Sequence, residues 1–73
     1  MRVRNELRRI RNVRGFAASA LSKEVGISRQ TIYAIESGQY LPNTATALRL
    51  ARALQVSVEQ LFFLEKKRRA IRR

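Results

Sequence analysis

The chain has 73 residues, 16 of them basic and 5 acidic, for a formal charge of +11, and it contains no cysteine, histidine or aspartate. That length makes one small domain that buries roughly 60% of its unfolded surface, with no room within it for a separate ligand-sensing domain. The charge points to a polyanion, nucleic acid or an anionic membrane surface. The missing residue types exclude a disulfide framework and a zinc cluster, and the five glutamates are too scattered to suggest a catalytic carboxylate pair, so neither an enzyme nor a cofactor or metal site is expected.

Charge is concentrated at the two ends. Residues 2 to 14 carry six arginines against Glu6, residues 66 to 73 carry six cations and no acid, and the segment between balances four bases against four acids. We divide the chain into a domain over 1–65 and a basic tail over 66–73. No signal peptide and no apolar run of membrane-spanning length is present, so a cytoplasmic protein is expected. Membrane-surface binding through the cationic ends is disfavoured, because neither end carries the aromatic-rich apolar face of an interfacial helix.

Apolar positions recur at helical spacing, and no segment combines strand alternation with a hairpin signal, so the expected class is all-α with five helices. The first, over 2–13, aligns Val3, Leu7 and Ile10 and ends at Gly15. The second, over 18–25, uses Leu21 and Val25, with Ser22 small enough for close helix approach. Gly26 can reverse the chain in the left-handed conformation, and Ser28 can cap a third helix over 28–36 that Gly38 stops. That helix turns Ile32 and Ile35 one way and Arg29, Gln30, Tyr33 and Ala34 the other, and such a polar face suits a major groove. After Pro42, Asn43 can cap a fourth helix over 44–54 whose buried stripe is read as Leu48, Ala51 and Leu54. Ser57 with Gln60 resembles a capping box opening a fifth helix, which carries Val58, Leu61 and Phe62 inward and continues into the apolar Phe63 and Leu64.

These elements carry a resemblance. LRRIR at 7–11, SKEVGISRQTIYAIESG at 22–38, Pro42, ALRLARAL at 47–54 and VSVEQLF at 56–62 stand in the order found in the Cro/C1-type (xenobiotic-response-element) family of helix-turn-helix transcriptional regulators. From about residue 4 to 64 the chain resembles that family. The resemblance implies a five-helix, lambda-repressor-like DNA-binding domain whose helix-turn-helix is formed by helices 2 and 3. It implies base contacts by Arg29, Gln30 and Ala34. Arginine pairs with guanine, glutamine with adenine, and alanine meets a thymine methyl. It places Ser28, Thr31 and Tyr33 near the DNA backbone and pairs Arg11 with Glu36 as a structural ion pair; Ser19, Tyr40 and Asn43, and from the charge distribution Arg4 and Arg8, are further candidate backbone contacts.

Two sites, each of two residues, depart from the family pattern. Ala17 and Ala18 stand where a Ser or Thr followed by Gln usually grips a phosphate, and Gln39 and Tyr40 stand where the loop after helix 3 often carries a cation. Ser19 is then the substitute phosphate donor, while Tyr40 either donates to a phosphate or packs under Pro42, packing being slightly favoured. Phosphate neutralisation falls to the basic ends. The tail either follows DNA, extends into solvent, or begins a linker. Phe63 and Leu64 are candidate dimer contacts, the alternative being ordinary core packing with one exposed apolar residue.

The expected function is sequence-specific binding of double-stranded DNA by a transcriptional regulator, a repressor, acting as a homodimer on a pseudo-palindromic operator. The alternative from another class is a protein-interaction module, such as an antitoxin that uses the same fold to cover a partner.

Overall fold

The computed structural model describes residues 2–65. In chain order they form β1 (Val3–Asn5), α1 (Leu7–Val13), α2 (Ala18–Val25), α3 (Arg29–Glu36), α4 (Thr44–Leu54), α5 (Val58–Leu61) and β2 (Phe62–Leu64). The helices enclose one core in which Leu7, Leu21, Ile32, Ile35, Leu50, Leu54 and Leu61 are fully buried. Each such side chain contributes about 1.5–3 kcal/mol by leaving water, which is how so small a domain holds together.

The ends of the domain differ from the sequence expectation. Helix 1 begins at Leu7, and residues Val3–Asn5 form a strand paired antiparallel with Phe62–Leu64, in the register Val3↔Leu64, Arg4↔Phe63 and Asn5↔Phe62. Backbone bonds from Glu6 N–H to the Leu61 carbonyl (3.0 Å) and from Glu65 N–H to the Arg2 carbonyl (2.7 Å) close the ribbon at both ends. Val3 shares helical spacing with Leu7 and Ile10, yet it stays 38% exposed on the ribbon. Each strand is only three residues long and finds its partner some sixty positions away, so no local alternation or hairpin turn announces it. Helix 5 correspondingly has four residues, and Phe63 and Leu64, expected late in that helix, belong to β2.

The interior elements follow their local chemistry. Gly26 takes φ +84°, and the amides of Gly26 and Ile27 both donate to the Ser22 carbonyl, so α2 closes in a tight turn before α3. Ser28 Oγ caps α3 by accepting from Thr31 N–H at 3.0 Å, and Asn43 Oδ1 caps α4 by accepting from Thr46 N–H at 2.8 Å. The Ser57–Gln60 capping box forms in both directions, at 3.1 and 2.8 Å. One stripe is corrected. In α4 the buried residues are Leu50, Ala51 and Leu54, whereas Leu48 is 54% exposed. Successive steps of three drift around a 3.6-residue helix, so Leu48 and Leu54 lie about 120° apart while Leu50 and Leu54 lie about 40° apart.

Candidate nucleic-acid interface

Helix α3 presents its polar face because its apolar face is fully used. Ile32 and Ile35 are buried, Arg29, Gln30 and Tyr33 are exposed, and Ala34 is half-buried between them. Its two ends are pinned differently. At the start, Ser28 caps the helix and exchanges a further hydrogen bond with the Thr31 hydroxyl at 2.8 Å. At the end, Asn5 Nδ2 donates to the Ile35 carbonyl at 2.9 Å, while Asn5 Oδ1 accepts from Leu7 N–H at 3.0 Å and so also starts α1.

The last residue of α3 carries the strongest lock. Glu36 has no solvent-exposed side-chain surface, and its Oε2 accepts from Arg11 Nε at 2.6 Å. Arg11, 12% exposed, also donates from Nη1 to the Phe16 carbonyl at 3.0 Å, which ties the turn after α1 to the same cluster. The pair expected between Arg11 and Glu36 is therefore present and internal. A buried pair of this kind contributes through being complete, since either partner alone would be stranded.

Along α3 runs an open concavity lined by Arg8, Ser28, Gln30, Thr31, Tyr33, Ala34, Ser37, Gln39 and Tyr40. It gathers seven of the residues that the sequence pointed toward DNA. Arg29 is exposed on the first turn of α3 but outside this lining, and Ser19, on the first turn of α2, is exposed outside it too. Asn43 also lies outside, with its Oδ1 committed to the α4 cap. Arg4 stands on β1, away from the concavity, with Nη1 3.7 Å from Glu65 Oε2. Tyr40 is 46% exposed and lines the concavity, while Pro42 lines a separate apolar groove with Val3, Leu41, Leu48, Val58 and Phe62.

Sequence reasoning passed over Ser37 and Gln39 as lining residues and missed Asn5 altogether. Asn5 had a local signal, because an asparagine side chain commonly accepts from the backbone N–H two residues on in an Asx-turn. Its bond to Ile35, thirty residues on, had none.

The N-terminal arginines are not free charges. Arg2 and Arg4 face Glu65 at 3.8 and 3.7 Å, Arg8 faces Glu36 at 3.4 Å, Arg9 faces Glu6 at 2.8 Å, and Arg14 donates to the Gln55 carbonyl at 3.4 Å. Apart from Arg11, the arginine side chains in these ion pairs are at least 56% exposed, so the pairs add little to folding stability. Phe63 and Leu64 are 38% and 59% exposed on β2, opposite Arg4 and Val3. The tail over 66–73 lies outside the described residues. Among the described residues, no helix is long and apolar enough to cross a membrane.

Comparison with known proteins agrees with this architecture. A family model described as helix-turn-helix matches residues 7–61, from the start of α1 to the end of α5. The HTH-type transcriptional regulator YgzD of Bacillus subtilis is 35% identical over 63 residues, which cover 86% of this chain and 96% of that protein. An HTH-type transcriptional regulator of Methanothermobacter thermautotrophicus is 39% identical over 64 residues, covering 86% and 93%. The crystal structure of the restriction-modification controller protein C.AhdI from Aeromonas hydrophila superposes with a TM-score of 0.70 at 28% identity, over 74% of this chain and 82% of that one. A glycine-turned α2–α3 pair, a polar outward face on α3 and a family match across all five helices leave one assignment: the chain belongs to the Cro/C1-type helix-turn-helix family of DNA-binding transcriptional regulators.

Proposed function

We propose that the domain binds a specific double-stranded DNA operator as a transcriptional repressor, with α3 inserted in the major groove. The observation that carries this reading is the state of α3: its apolar face is buried, both ends are fixed, and Arg29, Gln30 and Tyr33 remain exposed. A rigid helix with an uncommitted polar face can spend its side chains on base edges without first ordering itself. Arg29 reads guanine, Gln30 reads adenine and Ala34 meets a thymine methyl, each good bidentate pair being worth about 1–3 kcal/mol of discrimination. Ser28, Thr31, Tyr33, Tyr40 and Arg8 line or flank the same concavity and take backbone phosphates, with Ser19, Asn43 and Arg4 reaching phosphates farther out.

Two copies bind together, with their recognition helices about 34 Å apart on a pseudo-palindrome and with Phe63 and Leu64 as contacts between them. With the basic ends neutralising about five phosphates per subunit, log affinity falls against log salt with a slope of about −4.5 per subunit. The test is selection of bound DNA from a random duplex library by wild type, Arg29→Ala and Gln30→Ala. The expected result is one enriched palindrome whose preference relaxes at a different position in each variant. Identical preferences in all three would refute the assignment of reading residues. Enrichment of nothing, together with co-purification of a tightly bound protein, would turn the reading to an interaction module.

A further inference from the structure

The buried carboxylate of Glu36 serves two guanidiniums that differ in kind. Arg11 is interior, donates to Oε2 from Nε at 2.6 Å and to Oε1 from Nη2 at 3.5 Å, and gives Nη1 to the Phe16 carbonyl. Arg8 is 67% exposed and touches Oε1 through Nε alone, at 3.4 Å. Its terminal nitrogens make no hydrogen bond to the described residues, and the side chain forms a wall of the concavity beside Ser28, Thr31 and Tyr33. A guanidinium is a planar fork of five N–H groups in fixed directions, so holding the Nε edge also aims the opposite edge.

Glu36 is suited to that task because it cannot move with Arg8. It is the last residue of α3, fully enclosed and locked by Arg11, so Arg8 is positioned relative to the recognition helix as well as to its own helix α1. The cluster of Arg8, Arg11 and Glu36 holds two cations and one anion. One positive charge is left over, on an exposed side chain that lines both the concavity along α3 and a second hollow shared with Glu36, Glu6 and Asn12. Arg11 at 2.6 Å already satisfies the carboxylate, and an exposed contact at 3.4 Å adds little to folding.

We propose that Glu36 is a positioning residue for Arg8: it holds the Nε edge so that the Nη edge is presented to a backbone phosphate of the DNA that α3 reads. This rests on the DNA-binding reading above and adds to it how one phosphate contact is built. A phosphate fits better than a base because Arg8 stands on α1, at the wall of the concavity, while α3 supplies the reading face.

The test compares wild type, Arg8→Ala and Arg8→Lys on two labelled duplexes across a range of salt, one a palindrome selected by the wild type and the other of mixed sequence. Loss of a phosphate contact acts on both alike, so Arg8→Ala should weaken each by about tenfold at low salt and reduce the salt slope by about 0.9 per bound subunit. Its thermal midpoint should stay at the wild-type value. Arg8→Lys should keep the slope, which counts charge, yet remain at least about threefold weaker, since one ammonium lacks the second edge needed to be held and to reach out at once. An unchanged slope in Arg8→Ala would overturn the phosphate contact of Arg8, and a lysine variant equal to wild type would overturn its positioning by Glu36, while specific binding by the wild type would still stand. A wild type that binds neither duplex would overturn the DNA reading itself.

Discussion

Replacing Arg11 with methionine tests how α3 is anchored. Methionine keeps much of the aliphatic stem but leaves the Glu36 carboxylate with no exposed surface and with Arg8, at 3.4 Å, as its remaining cation. Removing one partner of a buried pair costs about 3–5 kcal/mol, because the other charge is stranded. Arg8 is mostly in water and offsets about 1 kcal/mol at most, so the expected loss is about 2–4 kcal/mol. Total stability for a domain of this size is about 4–11 kcal/mol, so the variant should melt about 10–30 °C below wild type. Glu36→Leu alone leaves Arg11 still bonded to the Phe16 carbonyl and near water, at an expected loss of about 1–3 kcal/mol. Arg11→Met with Glu36→Leu removes the stranded charge and should lie above Arg11→Met alone. Urea denaturation followed by circular dichroism across the four proteins gives the coupling. A loss below about 1 kcal/mol in Arg11→Met, or a double variant equal to the sum of the singles, would refute the reasoning.

Three further substitutions separate local from tertiary effects. Leu50→Ala should cost about 2–5 kcal/mol by opening a core cavity, whereas Leu48→Lys, two residues away and 54% exposed, should change stability by no more than about 0.5 kcal/mol in chemical denaturation. Gln55 is the one non-glycine among the described residues with positive φ, +60°, at the end of α4, so Gln55→Gly should raise stability by about 0.5–1 kcal/mol in the same assay. Asn5→Ala breaks the bonds to Ile35 and Leu7 together and should cost about 1–3 kcal/mol; Asn5→Asp should not restore it, because a carboxylate then faces the Ile35 carbonyl. Wild-type stability in Asn5→Asp would show that the bond to Leu7 was the whole effect.

The features legible in the sequence are those whose cause lies within a few residues. Gly26, Ser28, Asn43 and the Ser57–Gln60 box act on backbone groups no more than four positions away, and each does in the structure what its type and spacing predict. The burial of Ile32 and Ile35 follows from period alone. The Arg11–Glu36 pair, twenty-five residues apart, was reached through family resemblance rather than through spacing.

What the sequence by itself determined is the helical class, the boundaries of α2, α3 and α4, and which face of α3 is polar, since caps, turns and periodicity are local. Tertiary structure alone decided that the two ends pair as strands, that Leu50 rather than Leu48 enters the core, that Tyr40 and Gln39 join the concavity along α3, and that the N-terminal arginines meet acids. Each of these depends on a partner distant in the chain, and a residue's spacing carries no record of what the fold will bring against it.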